Sequence, residues 1–263
     1  VLLDLKWLGI SWDGTPQIES RRSWQASKEA EHLLSNGNAY PCTCTRKMLR
    51  KSSQGSFNES TGAPHLGDTE ARYPGHCRGK FEDIETAELE EQRSAGLRLI
   101  VPDEEVSFVD KIYGRQNFNI QKTVGDFIIL RRNKAPAYQL AVVIADHLDS
   151  ITEVVRGRDL LESTARQMLV ARALGIKSPN YAHLPLVCDF RGQRLAKRSA
   201  SLSLAQLRNS GVSAETLVGW VAKALRQRNS AQPLPAAALI EGFDVSRIPT
   251  EDIILPERQE ELF

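Results

Sequence analysis

Apolar residues recur along this chain with a period that changes from segment to segment. Between Ser23 and Asn36, Trp24, Ala30, Leu33 and Leu34 return on one helical face, and Gly37 stands where a left-handed C-terminal cap is wanted. The spacing predicts a helix that delivers the chain to YPCTC at 40–44. From Thr45 to Arg78, Ser, Gly, His and charged residues dominate, with too few large apolar side chains for a core, so this stretch reads as an inserted loop or small subdomain that something must tie down. FEDIETAELEEQRSAG (81–96) is charged and of mixed signal, and LRLIV and VSFVD read as short strands. DFIILRR (126–132), YQLAVVIAD (138–146), SITEVVRG (150–157) and HLPLVCDF (183–190) read as strands or apolar core segments. Thr164 to Leu174 reads as a helix, opened by a Thr164/Gln167 capping box and closed by Gly175. Strand, helix, strand in this order predicts an α/β domain with parallel pairing. In the tail, Leu217, Trp220, Val221, Ala224 and Leu225 follow the rule of an amphipathic helix.

The first residues, VLLDLKWLGISW, form an apolar segment without an initiator Met, a polar N-cap or a preceding strand to pack on, which reads as a chain entered part-way through a longer protein. With 263 residues, 41% hydrophobic and 25% charged, there is material for one large domain or two modest ones. The 34 basic and 33 acidic residues leave a net charge of +1, so no overall field draws the chain to nucleic acid or an anionic membrane, and any RNA contact must be local. No apolar run approaches the roughly 20 residues of a membrane helix and no cleavable leader is recognisable, so a cytoplasmic location is expected.

Cysteine chemistry sharpens the picture. Cys42 and Cys44 sit too close in sequence to pair as a disulfide, and Cys77 and Cys188 are far apart, which favours metal ligation or plain burial. Cys42, Cys44 and Cys77 supply three sulfurs toward a four-coordinate zinc site, with the fourth donor open between Tyr73, His76, His65 and an acidic residue. Spacing alone favours His76, though its adjacency to Cys77 is sterically awkward. Ligation would close the polar 45–72 loop, whose own burial cannot offset its ordering entropy. Reduced, partly buried cysteines without a metal are the plainer alternative. A zinc-ribbon nucleic-acid module is the other, but it lacks the interleaved basic and aromatic residues such modules present.

In sequence order, YPCTC, RYPGHCRG, GDFIILRR, AYQLAVVIAD, ITEVVRGRDLLESTARQ and HLPLVCDFRGQRLAKR resemble the glutamyl-queuosine tRNA(Asp) synthetases over essentially the whole chain. These are shortened paralogs of glutamyl-tRNA synthetase without its anticodon-binding domain. The resemblance implies a class I aminoacyl-tRNA synthetase fold, a Rossmann-like α/β catalytic domain on a parallel sheet, with an inserted zinc subdomain. The corresponding division is a remainder of the N-terminal nucleotide-binding half at 1–40, the zinc insertion at 41–80, the catalytic α/β domain at 81–200 and a helical appendage at 201–263. It also implies one structural Zn2+ held by Cys42, Cys44, Tyr73 and Cys77, which selects Tyr73 over His76. Glutamate is expected to be held by Tyr138 and Arg156, and an arginine fork on its side-chain carboxylate is sound chemistry. Without the resemblance, a strand-end salt bridge of Arg156 with Asp159 and ordinary core packing of Tyr138 are the simpler readings.

GQRLAKR matches the mobile KMSKS loop of class I synthetases and places Lys197 at the lysine that stabilises the ATP phosphates. Arg194 replaces the first lysine, Ala196 the serine and Arg198 the final residue, so loop closure and rate are expected to be weaker. The family's HIGH-like signature and its grip on the α-amino and carboxylate groups would precede Val1, so the chain alone is expected to be inactive. The activity implied is ATP-dependent, tRNA-independent activation of glutamate and its transfer to queuosine in the anticodon of tRNA(Asp). Glutamate, ATP with Mg2+ and that tRNA are the implied partners, and the protein is expected to be a monomer. Arg131, Arg132 and Arg158 are candidates for positioning RNA, or else solvated edge charges. Two rivals stand: a fragment of a full glutamyl-tRNA synthetase, and a non-catalytic paralog that binds zinc or RNA.

Overall fold

The computed structural model describes residues 1–45, 47–49, 72–195 and 203–257. Contacts divide the chain into two compact units, one of Gln17–Asp110 with Gly114–Ala182, the other of Val1–Pro16, Lys111–Tyr113 and His183–Phe263. Among the described residues, no helix is long and apolar enough to cross a membrane.

The first unit opens with α1′s successor in the chain, the helix α2 (Glu19–Ser35), which follows α1 (Leu2–Trp7) of the other unit. Ala26, Ala30 and Leu33, spaced four and three apart, form its buried stripe. Trp24, expected on that stripe, is 63% exposed, because it stands off the face that Ala26 and Ala30 present to the core. Gly37 at φ +70° ends the helix as expected. Next come β1 (Ala39–Cys42), α3 (Ile84–Glu91) and β2 (Gly96–Leu99), then the hairpin of β3 (Val106–Asp110) and β4 (Gly114–Phe118). The single turn α4 (Ile120–Thr123) leads to β5 (Ile128–Leu130).

β1, β2 and β5 form an antiparallel sheet in the order β1-β2-β5. Every residue of β2 is buried, so the apolar run reads as a central strand. Gly96 is required there, since a Cβ would lie 2.4 Å from the Leu130 carbonyl oxygen.

After β5 the expectation of another strand fails. YQLAVVIAD is the helix α5 (Tyr138–Leu148), whose buried Gln139, Leu140, Val143 and Ile144 lie on one helical face, started by Ala137 in an extended N-cap conformation. Its β-branched run favours a strand locally, and packing on one stripe overrides that preference. β6 (Glu153–Gly157) and α6 (Leu161–Ala173) follow, then β7 (Asn180–Leu184). α6 starts three residues earlier than Thr164, so Thr164 and Gln167 are buried interior positions, 0% and 1% exposed, and not a capping box. Gly175 at φ +68° closes this helix as expected.

A second sheet has the order β4-β3-β7-β6, with β3 antiparallel to β4 and parallel to β7. The α/β class therefore holds, but the parallel sheet expected is a mixed one beside an antiparallel one. Hairpin connections can be made by short turns, and β3–β4 uses one, whereas the helix α6 separates β6 from β7 in the order β6-α6-β7.

In the other unit, β8 (Val187–Cys188) pairs in parallel with β9 (Ile253–Ile254). α7 (Leu204–Asn209) carries a full capping box between Ser203 and Gln206. α8 (Ala214–Ala224) is the amphipathic helix expected in the tail, but its buried face is Ala214, Leu217, Val218, Gly219 and Ala222, with Trp220, Val221, Ala224 and Leu225 half-buried beside it. The rotation follows from Gly219, where a Cβ would meet the Gln232 carbonyl oxygen at 2.3 Å, so the backbone of 231–232 packs directly on this side of the helix.

Candidate functional site

Strand alternation builds the cysteine cluster. In the β1–β2 register Tyr40 faces Arg98 and Cys42 faces Gly96, so Tyr40, Cys42 and Arg98 share one side of the sheet while Ala39, Leu97 and Leu99 enter the hydrophobic core on the other. The segment 72–77 lies against that first side through the Tyr73 N–H, which donates to the Val124 carbonyl at 2.8 Å. The sulfurs of Cys42, Cys44 and Cys77 come within 4.8 Å of one another.

Tyr73 Oη lies 3.4 Å from Cys42 Sγ and 3.6 Å from Cys44 Sγ, and Cys44 Sγ lies 3.5 Å from Cys77 Sγ. Four donors around a tetrahedral ion, with sulfur at about 2.3 Å and oxygen at about 2.0 Å, stand about 3.8 Å apart sulfur to sulfur and about 3.5 Å sulfur to oxygen. The two contacts of Tyr73 Oη match the sulfur-to-oxygen spacing, and the Cys44–Cys77 contact is slightly shorter than the sulfur-to-sulfur one. His76, which sequence spacing favours as the fourth donor, is exposed, and its ring sits edge-on to Tyr73 at 6.4 Å. His65 lies outside the described residues.

Burial pushes the Tyr73 phenol up, and the charge of neighbouring Cys42 adds to it. Hydrogen bonding with Cys42 and Cys77 raises the Cys44 thiol, while bonds from Cys42 and Cys44 lower that of Cys77. A thiol must lose its proton to ligate a metal, so metal binding at this cluster would release protons.

Around the cluster stands a polar shell that sequence reasoning missed. Arg98, only 4% exposed, donates from Nε to Cys42 Sγ at 3.2 Å and from Nη1 to the Asp126 carbonyl at 2.8 Å, with its guanidinium carbon 3.6 Å from the Tyr73 ring centre. The buried Asp126 carboxylate accepts from Tyr40 Oη at 2.7 Å and from the Val101 N–H at 2.8 Å. The one signal in the sequence was a lone arginine inside the apolar LRLIV.

The second cluster gathers at the end of β6. Arg156 donates to Thr164 Oγ1 at 2.7 Å and to the Leu160 carbonyl at 3.3 Å, and its guanidinium carbon lies 5.3 Å from the Tyr181 ring centre. Burial works against its charge, and the nearby Tyr138, Tyr181, Asp146 and Asp159 work in its favour, so the guanidinium stays ionised. Burial raises the Tyr138 phenol and pushes that of Tyr181 up to about 12, with the Arg156 charge opposing both. Burial likewise raises the Asp146 carboxyl. The structure therefore brings Tyr138 and Arg156 into one electrostatic neighbourhood, with Tyr181 and Thr164 as members that the motifs did not single out. Asp146 and Tyr181 also line a groove of about 430 Å³ with Thr152 and Asn180.

Lys197, Ala196 and Arg198 lie outside the described residues. The turn before them is built by Asp189, whose carboxylate accepts the N–H groups of Arg191 at 2.9 Å and Gln193 at 2.8 Å, with Gly192 at φ +75°. Arg194 closes it in a bridge to Cys188.

Residues 1–246 match the family model of the "tRNA synthetases class I (E and Q), catalytic domain". The chain belongs to that family. Among class I (E and Q) relatives, the "Glutamyl-Q tRNA(Asp) synthetase" of Symbiobacterium thermophilum is 38% identical over 264 residues, 97% of this chain and 79% of that protein. "Glutamate--tRNA ligase 1" of Halorhodospira halophila is 35% identical, over 94% of this chain and 52% of that one. A solved glutamate tRNA ligase from Elizabethkingia meningosepticum, in complex with its amino acid, superposes with a TM-score of 0.74 at 21% identity and shares the class I fold. The likeness covers 97% of this chain and 56% of the solved one.

Proposed function

We propose that the protein activates glutamate with ATP, releasing pyrophosphate, and passes the glutamyl group to queuosine in the anticodon of tRNA(Asp). The observation that carries the reading is the held, half-buried Arg156 beside Tyr138 and Tyr181, in a chain whose relatives bear the name glutamyl-Q tRNA(Asp) synthetase. In this reading the Arg156 guanidinium binds the side-chain carboxylate of glutamate through charge-assisted bonds and Tyr138 supplies a phenolic donor, which leaves the α-carboxylate to attack the α-phosphorus of ATP. Burial around Arg156 strengthens that recognition by keeping water from competing. Lys197 stabilises the ATP phosphates, with Mg2+ bound to the nucleotide. Cys42, Cys44, Cys77 and Tyr73 hold one zinc ion, whose chemistry is structural: it joins the 72–77 segment to β1. The spacing of the four donors supports that assignment.

A second reading, transfer to the 3′ end of a glutamate tRNA, is favoured by the relatives named glutamate–tRNA ligase, of which this chain spans about half. Glutamate-dependent ATP–pyrophosphate exchange without tRNA, measured on the protein as its gene encodes it, tests activation. Arg156→Lys is expected to raise the KM for glutamate about 10- to 100-fold, the worth of lost charged hydrogen bonds. Radiolabelled glutamate offered queuosine-containing tRNA(Asp) and tRNA(Glu) then separates the two acceptors. Absence of exchange in folded, metal-loaded protein would reject activation altogether.

A further inference from the structure

Arg98 stands in an unusual place for a charged side chain. It sits on a central strand with every residue buried, and an ion brought out of water there costs several kcal/mol unless something meets its charge. Its partners define what that something is. Nε–H points at a cysteine sulfur 3.2 Å away, the guanidinium carbon stands over the Tyr73 ring at 3.6 Å from its centre, and Nη1 is moored on a main-chain carbonyl. Two of these three partners are residues assigned above to the metal.

The charge balance explains the arrangement. Three thiolates and a phenolate outweigh a divalent cation, so a loaded centre carries surplus negative charge inside the protein, where it is poorly screened. A fixed cation beside it removes part of that surplus. A donor on a ligating sulfur also orients the ligand, and a cation over the ring face fixes the plane in which the phenol oxygen lies. The Cys77 N–H, 3.1 Å from Tyr73 Oη, holds the same oxygen from the opposite end of the ligand set.

We infer that Arg98 is the counter-charge and positioning residue of the metal centre, holding Cys42 Sγ and the Tyr73 ring in ligating geometry. This rests on the zinc assignment, and the moorings at Asp126 make it specific. Asp126 supplies its carbonyl to Arg98 and its carboxylate to Tyr40 and Val101, so the arginine is held from the sheet side and reaches outward to the ligands.

The experiment uses the full protein and two probes, Zn2+ in competition with a chromophoric chelator and Co2+ read by its absorption spectrum. Arg98→Met keeps the length of the stem and removes charge and donors. It is expected to bind zinc about 10- to 100-fold more weakly, the usual cost of losing a partner behind a ligand, and to shift the sulfur-to-cobalt charge-transfer band. Arg98→Lys restores charge without the planar fork and is expected to recover affinity in part while leaving the band shifted. Leu99→Val, on the opposite side of the same strand, controls for stability alone and should leave both readouts as in the parent. Should Arg98→Met fail to fold, the lysine variant carries the test: parental affinity and an unshifted band in it overturn the proposal. Parental affinity and spectrum in a folded Arg98→Met do the same. A parent protein that takes up no zinc stoichiometrically overturns the zinc assignment itself, which separates the two failures.

Discussion

At Gly125 the backbone sits at φ +73°, and a Cβ there would lie 2.5 Å from the Tyr73 carbonyl oxygen. The same short segment receives the Tyr73 N–H at Val124, so this glycine lets two backbones meet and sets where the phenol stands. Gly125→Ala is expected to lower stability by about 1–3 kcal/mol through strain and to weaken zinc retention, checked by urea unfolding and metal analysis. A different single residue ties stability to pH. Asp83 caps α3 by accepting the Thr86 N–H at 2.7 Å, and that bond holds its carboxyl below the usual 3.8. A depressed carboxyl contributes stability above its unfolded value and loses it as pH falls through the folded one. Asp83→Ala should therefore lower the urea midpoint at neutral pH and make no difference in strong acid. The gathering of Cys42, Cys44 and Cys77 was legible because a CxC pair and a later cysteine flanking a polar stretch suggest a common site. Arg98 was not, because a single charge in an apolar run is normally read as the strand's wet side, and only the burial of all four β2 residues shows both faces covered.

At the scale of elements, β2 carries the argument. Its Leu97, fully buried in the hydrophobic core between β1 and β5, turns away from the cysteine side. Leu97→Ala is expected to cost about 2–5 kcal/mol by leaving a cavity, measured as a shift in urea midpoint at constant slope. Strands 96–99, 106–110, 128–130 and 153–157 were legible as short apolar or alternating runs, and the helix ends at Gly37 and Gly175 as left-handed glycines. The misreading of α5 has a physical origin: β-branched Val142, Val143 and Ile144 favour a strand locally, and the choice is made by a helical stripe that only tertiary packing selects. Thr164 misled for a related reason. A Thr three residues before Gln resembles a cap, yet its hydroxyl is spent on Arg156, a partner eight residues earlier.

For the molecule as a whole, the cysteine cluster joins chain segments that are far apart in sequence, with β1 at 39–42 and Cys77 in the 72–77 stretch. On the zinc proposal, treatment with a chelator is expected to quicken amide hydrogen exchange at 39–42, 72–81 and 96–99, and to leave α8, in the other contact unit, at its original rates. Exchange mapped by mass spectrometry would show this, and uniform quickening would contradict it. The closeness of Cys44 and Cys77, with sulfurs 3.5 Å apart, has a further effect on how the protein ages in the hand. In the proposed zinc-loaded centre both thiolates are occupied by the ion; in metal-free protein a small side-chain rotation lets them couple, giving up two protons and two electrons to dissolved oxygen. Chelated protein left in air should then lose two titratable thiols and take zinc back only after dithiothreitol, so a preparation's storage history would be written in its metal content.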